Sequence, residues 1–293
     1  MKTSSIVLFI ALIIPVFAKQ TDLSNLYTKS IHERLRIVQN RAHLTTQETE
    51  LLEKAATPWA DHMIENAIST LPVPLGIAPH FVINGTPHLI PMATEEPSVI
   101  AAASHAAKLA QVAGGFTYTT SEQIMIGQIQ CSGAIDDTVV ARATTQLALH
   151  KKELLDLANQ CDPVLIQHGG GAQELQIRFI QTIRKPMLII HLLVNVQDAM
   201  GANIVNTMLE TIAPQIEKII PIQCAIKIVS NLALYRLAKA DAVWKKELIG
   251  TKIIEKILDA QAFALADPFR CATHNKGIMN GIDAVALATG FAA

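Results

Sequence analysis

The chain has 293 residues, half of them hydrophobic, with 17% charged, 4% aromatic and a formal net charge of -1. This composition supports a sizeable core of Ala, Ile, Leu and Val, and it excludes the basic surplus of a nucleic-acid binder. The four cysteines, Cys131, Cys161, Cys224 and Cys271, are widely spaced without a CxxC pair. Neither a zinc site nor a disulfide framework is indicated, so no metal is expected.

In chain order, Met1 to Ala18 passes from a polar start with Lys2 into an apolar run, Ile6 to Ala18, that ends on Val16-Phe17-Ala18. That is signal-peptide grammar, and the run is too short for a confident membrane span. The competing reading is an early start that adds a non-native extension. Residues 1–20 are thus a signal-like or spurious leader.

A polar connection and a short helix follow over Asp22 to Asn40. Thr45 with Glu48 forms a capping-box pattern that opens a helix through Leu51, Leu52 and Ala55. A second helix is expected from about Trp59 to Ile68. His80 to Ile83 and His88 to Ile90 flank Asn84-Gly85, a strong hairpin signal. Glu95-Glu96-Pro97-Ser98 then opens an Ala-rich helix to about Ala113, with Pro97 in its first turn and Gly114-Gly115 at its end.

The middle of the chain reads as strand Ile124–Ile135, helix Val139–Asn159, strand Ala172–Gln181, strand Met187–Val196, helix Gly201–Ile219 and strand Ile222–Val229. This βαββαβ order predicts a ferredoxin-like small domain at 122–231. The fold class is therefore α+β. A helical large domain, 21–121 and 232–293, is interrupted by that small domain. Trp244 to Ala266 is mostly helical, Asp267-Pro268 breaks it, and Arg270 to Gly281 reads as a polar, small-residue loop before a short helix at Ile282 to Thr289.

Three segments carry candidate chemistry. Glu95 and Glu96 beside Ser98 suit acid–base work, and equally suit helix capping. Gly169-Gly170-Gly171 and Asp198-Ala199-Met200-Gly201-Ala202-Asn203 flank strand and helix ends where backbone N–H groups can meet a pyrophosphate. They are also compatible with ordinary turns, and neither is a GxGxxG fingerprint. Arg270 to Gly281 gathers a guanidinium, Lys276 and several amides, suited to an anionic substrate and a developing oxyanion; a solvated basic loop would look similar.

Longer strings narrow these alternatives. Met63-Ile64-Glu65-Asn66, Ile83-Asn84-Gly85, Glu95 to Ser98 with Ala101-Ala102-Ala103-Ser104, Gly114-Gly115-Phe116, Asp198 to Asn206, Ser230-Asn231-Leu232-Ala233 and Ala272 to Asp283 occur in this order. Together they resemble the class II (bacterial, soluble) hydroxymethylglutaryl-CoA reductases, from about Leu26 to Gly290. That resemblance implies reduction of 3-hydroxy-3-methylglutaryl-CoA to mevalonate and CoA, or the reverse, with a nicotinamide cofactor.

By the same resemblance, Glu96 is the catalytic acid and Lys276 stabilises the oxyanion. Ser98, Arg270, Asn231 and Asn280 line the substrate pocket. Gly169, Gly170, Gly171, Asp198, Met200, Gly201 and Asn203 approach the dinucleotide without a Rossmann fold. Asp162 falls where a carboxylate accepts the ribose 2′-hydroxyl and repels a 2′-phosphate, so NADH is favoured over NADPH. A homodimer or higher homo-oligomer is implied.

The resemblance further implies a catalytic aspartate near the position of Ala292 and a flap histidine beyond it, so the isolated chain is expected to have little or no reductase activity. A C-terminally truncated reductase, a non-catalytic remnant and the N-terminal piece of a split reductase remain alternatives. A cytoplasmic location fits the need for NAD(P)H and CoA; export is the alternative if the leader is a true signal peptide.

Overall fold

The computed structural model describes residues 23–133 and 135–290. The expected leader at 1–20 and the position of Ala292 lie outside the described residues. The described chain begins with a 3-10 turn at Leu26–Thr28, followed by helices α1 (Ile31–Ala42), α2 (Thr46–Ala55) and α3 (Pro58–Met63). The expected capping box opens α2: Thr45 Oγ1 accepts from Glu48 N at 3.2 Å, and a Glu48 carboxylate oxygen accepts from Thr45 N at 2.8 Å. A second such box, Ser30 with Glu33, opens α1.

The third helix stops at Met63, five residues before the expected end, and Ile64 is extended. Bonds to more distant segments take the chain away from the helix path. Arg34 Nη1 donates to Ala67 O at 3.1 Å, Ser69 Oγ to Leu52 O at 2.7 Å, and Thr70 Oγ1 to Ala55 O at 2.7 Å. Each satisfies a carbonyl that would otherwise need another partner.

Strands β1 (Leu75–Ile83) and β2 (Thr86–Ala93) form the expected hairpin. Asn84 and Gly85 both have positive φ, 48° and 81°, as a type I′ turn requires. Helix α4 (Val99–Gln111) begins later than expected, two residues beyond Pro97. Ser98 O accepts from Ala102 N at 2.9 Å, so Ser98 holds the cap position and Pro97 lies outside the helix.

Strand β3 (Phe116–Thr120) was not expected, and neither was β8 (Ala238–Ala242). They pair antiparallel from Phe116↔Ala242 to Thr120↔Ala238, completing a sheet of order β2-β1-β3-β8. Aromatic contacts support the pairing: Phe116 stacks on Phe81 with centroids 5.4 Å apart and meets Trp244 edge-on at 6.3 Å.

The second sheet is built from β4 (Ile124–Ser132), β5 (Gly171–Ile180), β6 (Met187–Asn195) and β7 (Gln223–Ser230). Between β4 and β5 lie α5 (Asp137–Leu149), α6 (Lys151–Asn159) and α7 (Pro163–Gln167); α8 (Ala202–Ile219) joins β6 to β7. All strand pairs are antiparallel, in the order β5-β6-β4-β7. The single helix expected at 139–159 is two, broken at His150 (φ -97°, ψ 7°). Thr144 and Thr145 hydroxyls bond the carbonyls of Val140 and Ala141, which loosens the turns leading to the break.

One face of this sheet is the main core. From α8, Val205, Met208, Leu209, Ile212, Ala213 and Ile216 recur at helical spacing and are buried. They pack with Ile129, Ile190, Leu192 and Val194 from the strands. Each of the Val, Leu, Ile and Met side chains among them contributes about 1.5–3 kcal/mol on leaving water.

On β6, buried His191 shares a 2.9 Å hydrogen bond with Gln128. Burial, and secondarily the Arg178 charge, lowers its pKa below the usual imidazole value. Its neutral form is therefore favoured in the fold, and the unfolded chain binds a proton more readily. The resulting stability is present above the unfolded value and is lost as pH falls through the depressed folded value. His191→Gln should flatten the thermal-midpoint profile from pH 7 toward 5; an unchanged slope there would contradict this account.

The chain closes with α9 (Lys246–Ile249), α10 (Thr251–Ala266) and α11 (Pro268–Thr289). The described residues form two compact units, one of 23–78, 89–103 and 260–290, the other of 79–88, 104–133 and 135–259. Among the described residues, no helix is long and apolar enough to cross a membrane.

Candidate active site

The segment Arg270 to Gly281 is not a loop. It lies within α11, which continues unbroken to Thr289. Asp267 caps that helix by accepting from Arg270 N at 2.7 Å, and Pro268 occupies the first turn, where its missing N–H is harmless. Read as breakers, Asp267-Pro268 are in fact start signals. Lys276 and Asn280 stand one turn apart on α11, and Arg270 lies in its first turn.

Glu96 is held outside α4 by Pro97, and its backbone N donates to Thr94 Oγ1 at 3.2 Å. Its carboxylate then meets Lys276: Nζ lies 3.3 Å from Oε2, across 180 residues of sequence. The two side chains are 66% (Lys276) and 41% (Glu96) exposed, so this pair is worth at most about 1 kcal/mol to stability. Its interest is chemical, since an ammonium and a carboxylate reach the same point in space. Ser98 lies two residues from Glu96 at the start of α4. Among the described residues, no bond joins the side chains of Ser98, Arg270 or Asn280 to the pair.

Gly277 and Gly281 sit inside α11 with nothing within 4 Å of where a Cβ would stand. A mid-helix glycine lowers stability by roughly 0.5–1 kcal/mol relative to alanine, and packing here does not require it. Gly277→Ala should raise the unfolding free energy by about that amount, read from urea denaturation. A destabilised variant would mean that α11 is under a constraint these contacts do not reveal.

In the other unit, the register pairs Gly171 with Asn195, Ile124 with Asn195 and Ile126 with Ser230. The starts of β4 and β5 and the ends of β6 and β7 therefore share one end of the second sheet. This gathers Gly169, Gly170 and Gly171, the turn from Asp198 through Met200 and Gly201 to Asn203 in α8, and Asn231. Asp162, just upstream, caps α7: its Oδ1 accepts from Leu165 N at 2.9 Å.

At this end Gly170 and Gly201 leave no room for a Cβ, whereas Gly169 has open space around it and a φ of +80°. A Cβ on Gly170 would stand 2.7 Å from Asn195 O, and one on Gly201 2.6 Å from Val196 Cγ1. Gly201 also has φ +97°, and Gln197 has φ 52°. These two left-handed residues bracket the turn that leads into the N-terminus of α8, where free backbone N–H groups can meet an anion. The donor set suits a pyrophosphate.

Sequence reasoning missed two residues. Thr94 anchors Glu96, and Arg236 grips the 197–200 turn. A cation among the apolar residues Leu232 to Leu237 was the available signal for Arg236; nothing in the sequence pointed to Thr94.

Residues 30–291 match the family model for hydroxymethylglutaryl-coenzyme A reductase. The chain belongs to that reductase family. The 3-hydroxy-3-methylglutaryl-coenzyme A reductase of Archaeoglobus fulgidus is 49% identical over 276 residues, covering 93% of this chain and 63% of that protein. A probable reductase of Borreliella burgdorferi is 32% identical, covering 90% and 61%. The chain thus spans less than two thirds of the length of these reductases. Among solved structures, the Streptococcus pneumoniae reductase superposes with a TM-score of 0.77 at 38% identity, over 93% of this chain and 66% of that one. A class II reductase of the same organism, bound to NADPH in open conformations, gives 0.76 over 92% and 74%.

Proposed function

We propose that this chain acts in the NAD(P)H-linked interconversion of 3-hydroxy-3-methylglutaryl-CoA with mevalonate and CoA. The Glu96–Lys276 pair carries this reading. Lys276 Nζ holds the oxyanion that develops as each of the two hydrides arrives, and the Glu96 carboxyl protonates the oxygen of the aldehyde that forms once CoA has left. Ser98 and Arg270 hold the hydroxymethylglutaryl carboxylate, Arg270 through its paired donors. Asn280 lines that pocket, and Asn231 is a further substrate-binding residue.

The small domain, 122–231, binds the dinucleotide through Gly169, Gly170, Gly171, Asp198, Met200, Gly201 and Asn203. A nicotinamide cofactor bound there would supply the hydrides, two for each thioester reduced to the alcohol. The chain self-associates as a homodimer or higher homo-oligomer and works in the cytoplasm, where CoA and nicotinamide cofactors are available.

The deciding experiment combines single-turnover NAD(P)H oxidation, with the chain in excess over hydroxymethylglutaryl-CoA, and calorimetric titration of each ligand. Substrate-dependent oxidation that yields mevalonate supports the proposal. Binding of CoA ester and dinucleotide without turnover supports instead a chain that only binds them. Absence of both defeats the reading.

NADH is the preferred cofactor, because Asp162 accepts the ribose 2′-hydroxyl and repels a 2′-phosphate. Asp162→Ala should narrow the ratio of NADPH to NADH dissociation constants by about tenfold, the equivalent of about 1.4 kcal/mol. Since Asp162 also caps α7, thermal unfolding of the variant is recorded alongside. A wild-type preference for NADPH contradicts this assignment.

A further inference from the structure

We infer that Arg236 is a positioning residue: it holds the Gln197–Gly201 turn with its backbone N–H groups presented to the dinucleotide pyrophosphate. The inference rests on the dinucleotide-binding reading of the small domain.

The guanidinium spans three carbonyls of that turn. Nη1 donates to Ala199 O at 2.9 Å and to Met200 O at 3.3 Å, and Nη2 donates to Gln197 O at 3.5 Å. In a planar trans peptide the C=O and the following N–H point in opposite directions. Drawing these carbonyls to Arg236 therefore turns the N–H groups of Asp198, Met200 and Gly201 to the other side. Those are three of the positions the sequence had marked for the cofactor.

The neighbouring contacts keep this arrangement from relaxing. Ala199 N donates instead to Val196 O at 3.1 Å, which closes the turn. Gln123 Nε2 donates to Asp198 Oδ1 at 3.2 Å and so occupies one oxygen of that carboxylate. Arg236 is itself anchored from both sides by Ser121, whose Oγ donates to Tyr235 O at 2.8 Å and accepts from Leu237 N at 2.7 Å. The Arg236 charge is spent on peptide carbonyls, so its contribution is geometric and not a direct attraction for phosphate.

The test uses the full chain with NADPH and NADH, followed by nicotinamide fluorescence. If R236A leaves about a tenth of molecules with the donors forward, the dissociation constant for both cofactors rises about tenfold. R236K, which keeps a donor for one carbonyl, should fall between wild type and R236A. The thermal midpoint and the affinity for hydroxymethylglutaryl-CoA should not move.

Unchanged cofactor affinity in R236A overturns the proposal. So does convergence of wild type and R236A as salt is raised, because that marks a screened charge acting on phosphate. If wild type binds neither dinucleotide, the cofactor reading itself fails. Amide exchange at Ala199 then still judges Arg236: exchange about tenfold faster in R236A supports the positioning role, and an unchanged rate overturns it.

Discussion

Replacing Lys276 with Met is expected to slow reduction of hydroxymethylglutaryl-CoA by about 10²–10³-fold, the loss seen when one oxyanion donor is removed from a reacting site. Methionine keeps most of the stem volume and removes the ammonium that lies 3.3 Å from Glu96. Substrate affinity should change little, because the carboxylate end of the substrate is assigned to Ser98 and Arg270. Stability should change little as well, since the ion pair is exposed. Glu96→Gln keeps the shape and removes the transferable proton, so it should impair the same step. Groups that act as a unit are non-additive, and the double variant should be hardly slower than the worse single one. Single-turnover rates with the chain in excess make even a slow reaction readable. A drop of less than about tenfold for Lys276→Met would remove this lysine from the chemistry, since a lost oxyanion donor has a far larger effect.

The second large effect concerns stability. Arg34→Met is expected to lower the unfolding free energy of its unit by about 3–5 kcal/mol, the range for removing one partner of a buried charged pair. The Arg34 side chain is 6% exposed and bonds Asp61. It also donates to Leu26 O at 3.1 Å, Tyr27 O at 3.0 Å and Ala67 O at 3.1 Å. One guanidinium thereby ties the first turn, α3 and the segment after α3 to α1. Asp61 is one third exposed and regains some water when Arg34 is lost, which places the effect toward the lower end of the range. Urea denaturation measures the loss, and amide exchange over residues 31–63 localises it. A change below about 1 kcal/mol would mean that solvent replaces these bonds freely.

Much of this protein was legible where the signal is local. The Thr45–Glu48 box, the Asn84-Gly85 turn and the βαββαβ order each depend on residues a few positions apart, and the structure has all three. The reductase strings were legible for a different reason: chemistry fixes side-chain identity at reacting positions whatever the surrounding fold.

Long-range pairing was not legible. Phe116–Thr120 and Ala238–Ala242 are short, and Ala238–Ala242 has little intrinsic strand preference; each is a strand because the other lies beside it. Arg270 to Gly281 looked like a loop because glycine and polar residues disfavour helix interiors, yet the Asp267-Pro268 start and the run to Thr289 make it one helix.

By itself, the sequence determined the family and the order of the small-domain elements, and it supplied the residues proposed to react. Only the tertiary structure decided that Glu96 and Lys276 meet, that the two glycine-bearing turns share one end of a sheet, and that Arg236 holds the second of them. Those facts depend on contacts between residues far apart in the chain. The pattern along a chain specifies which residues can face a core, while closing the long loops between them is decided by packing of the whole.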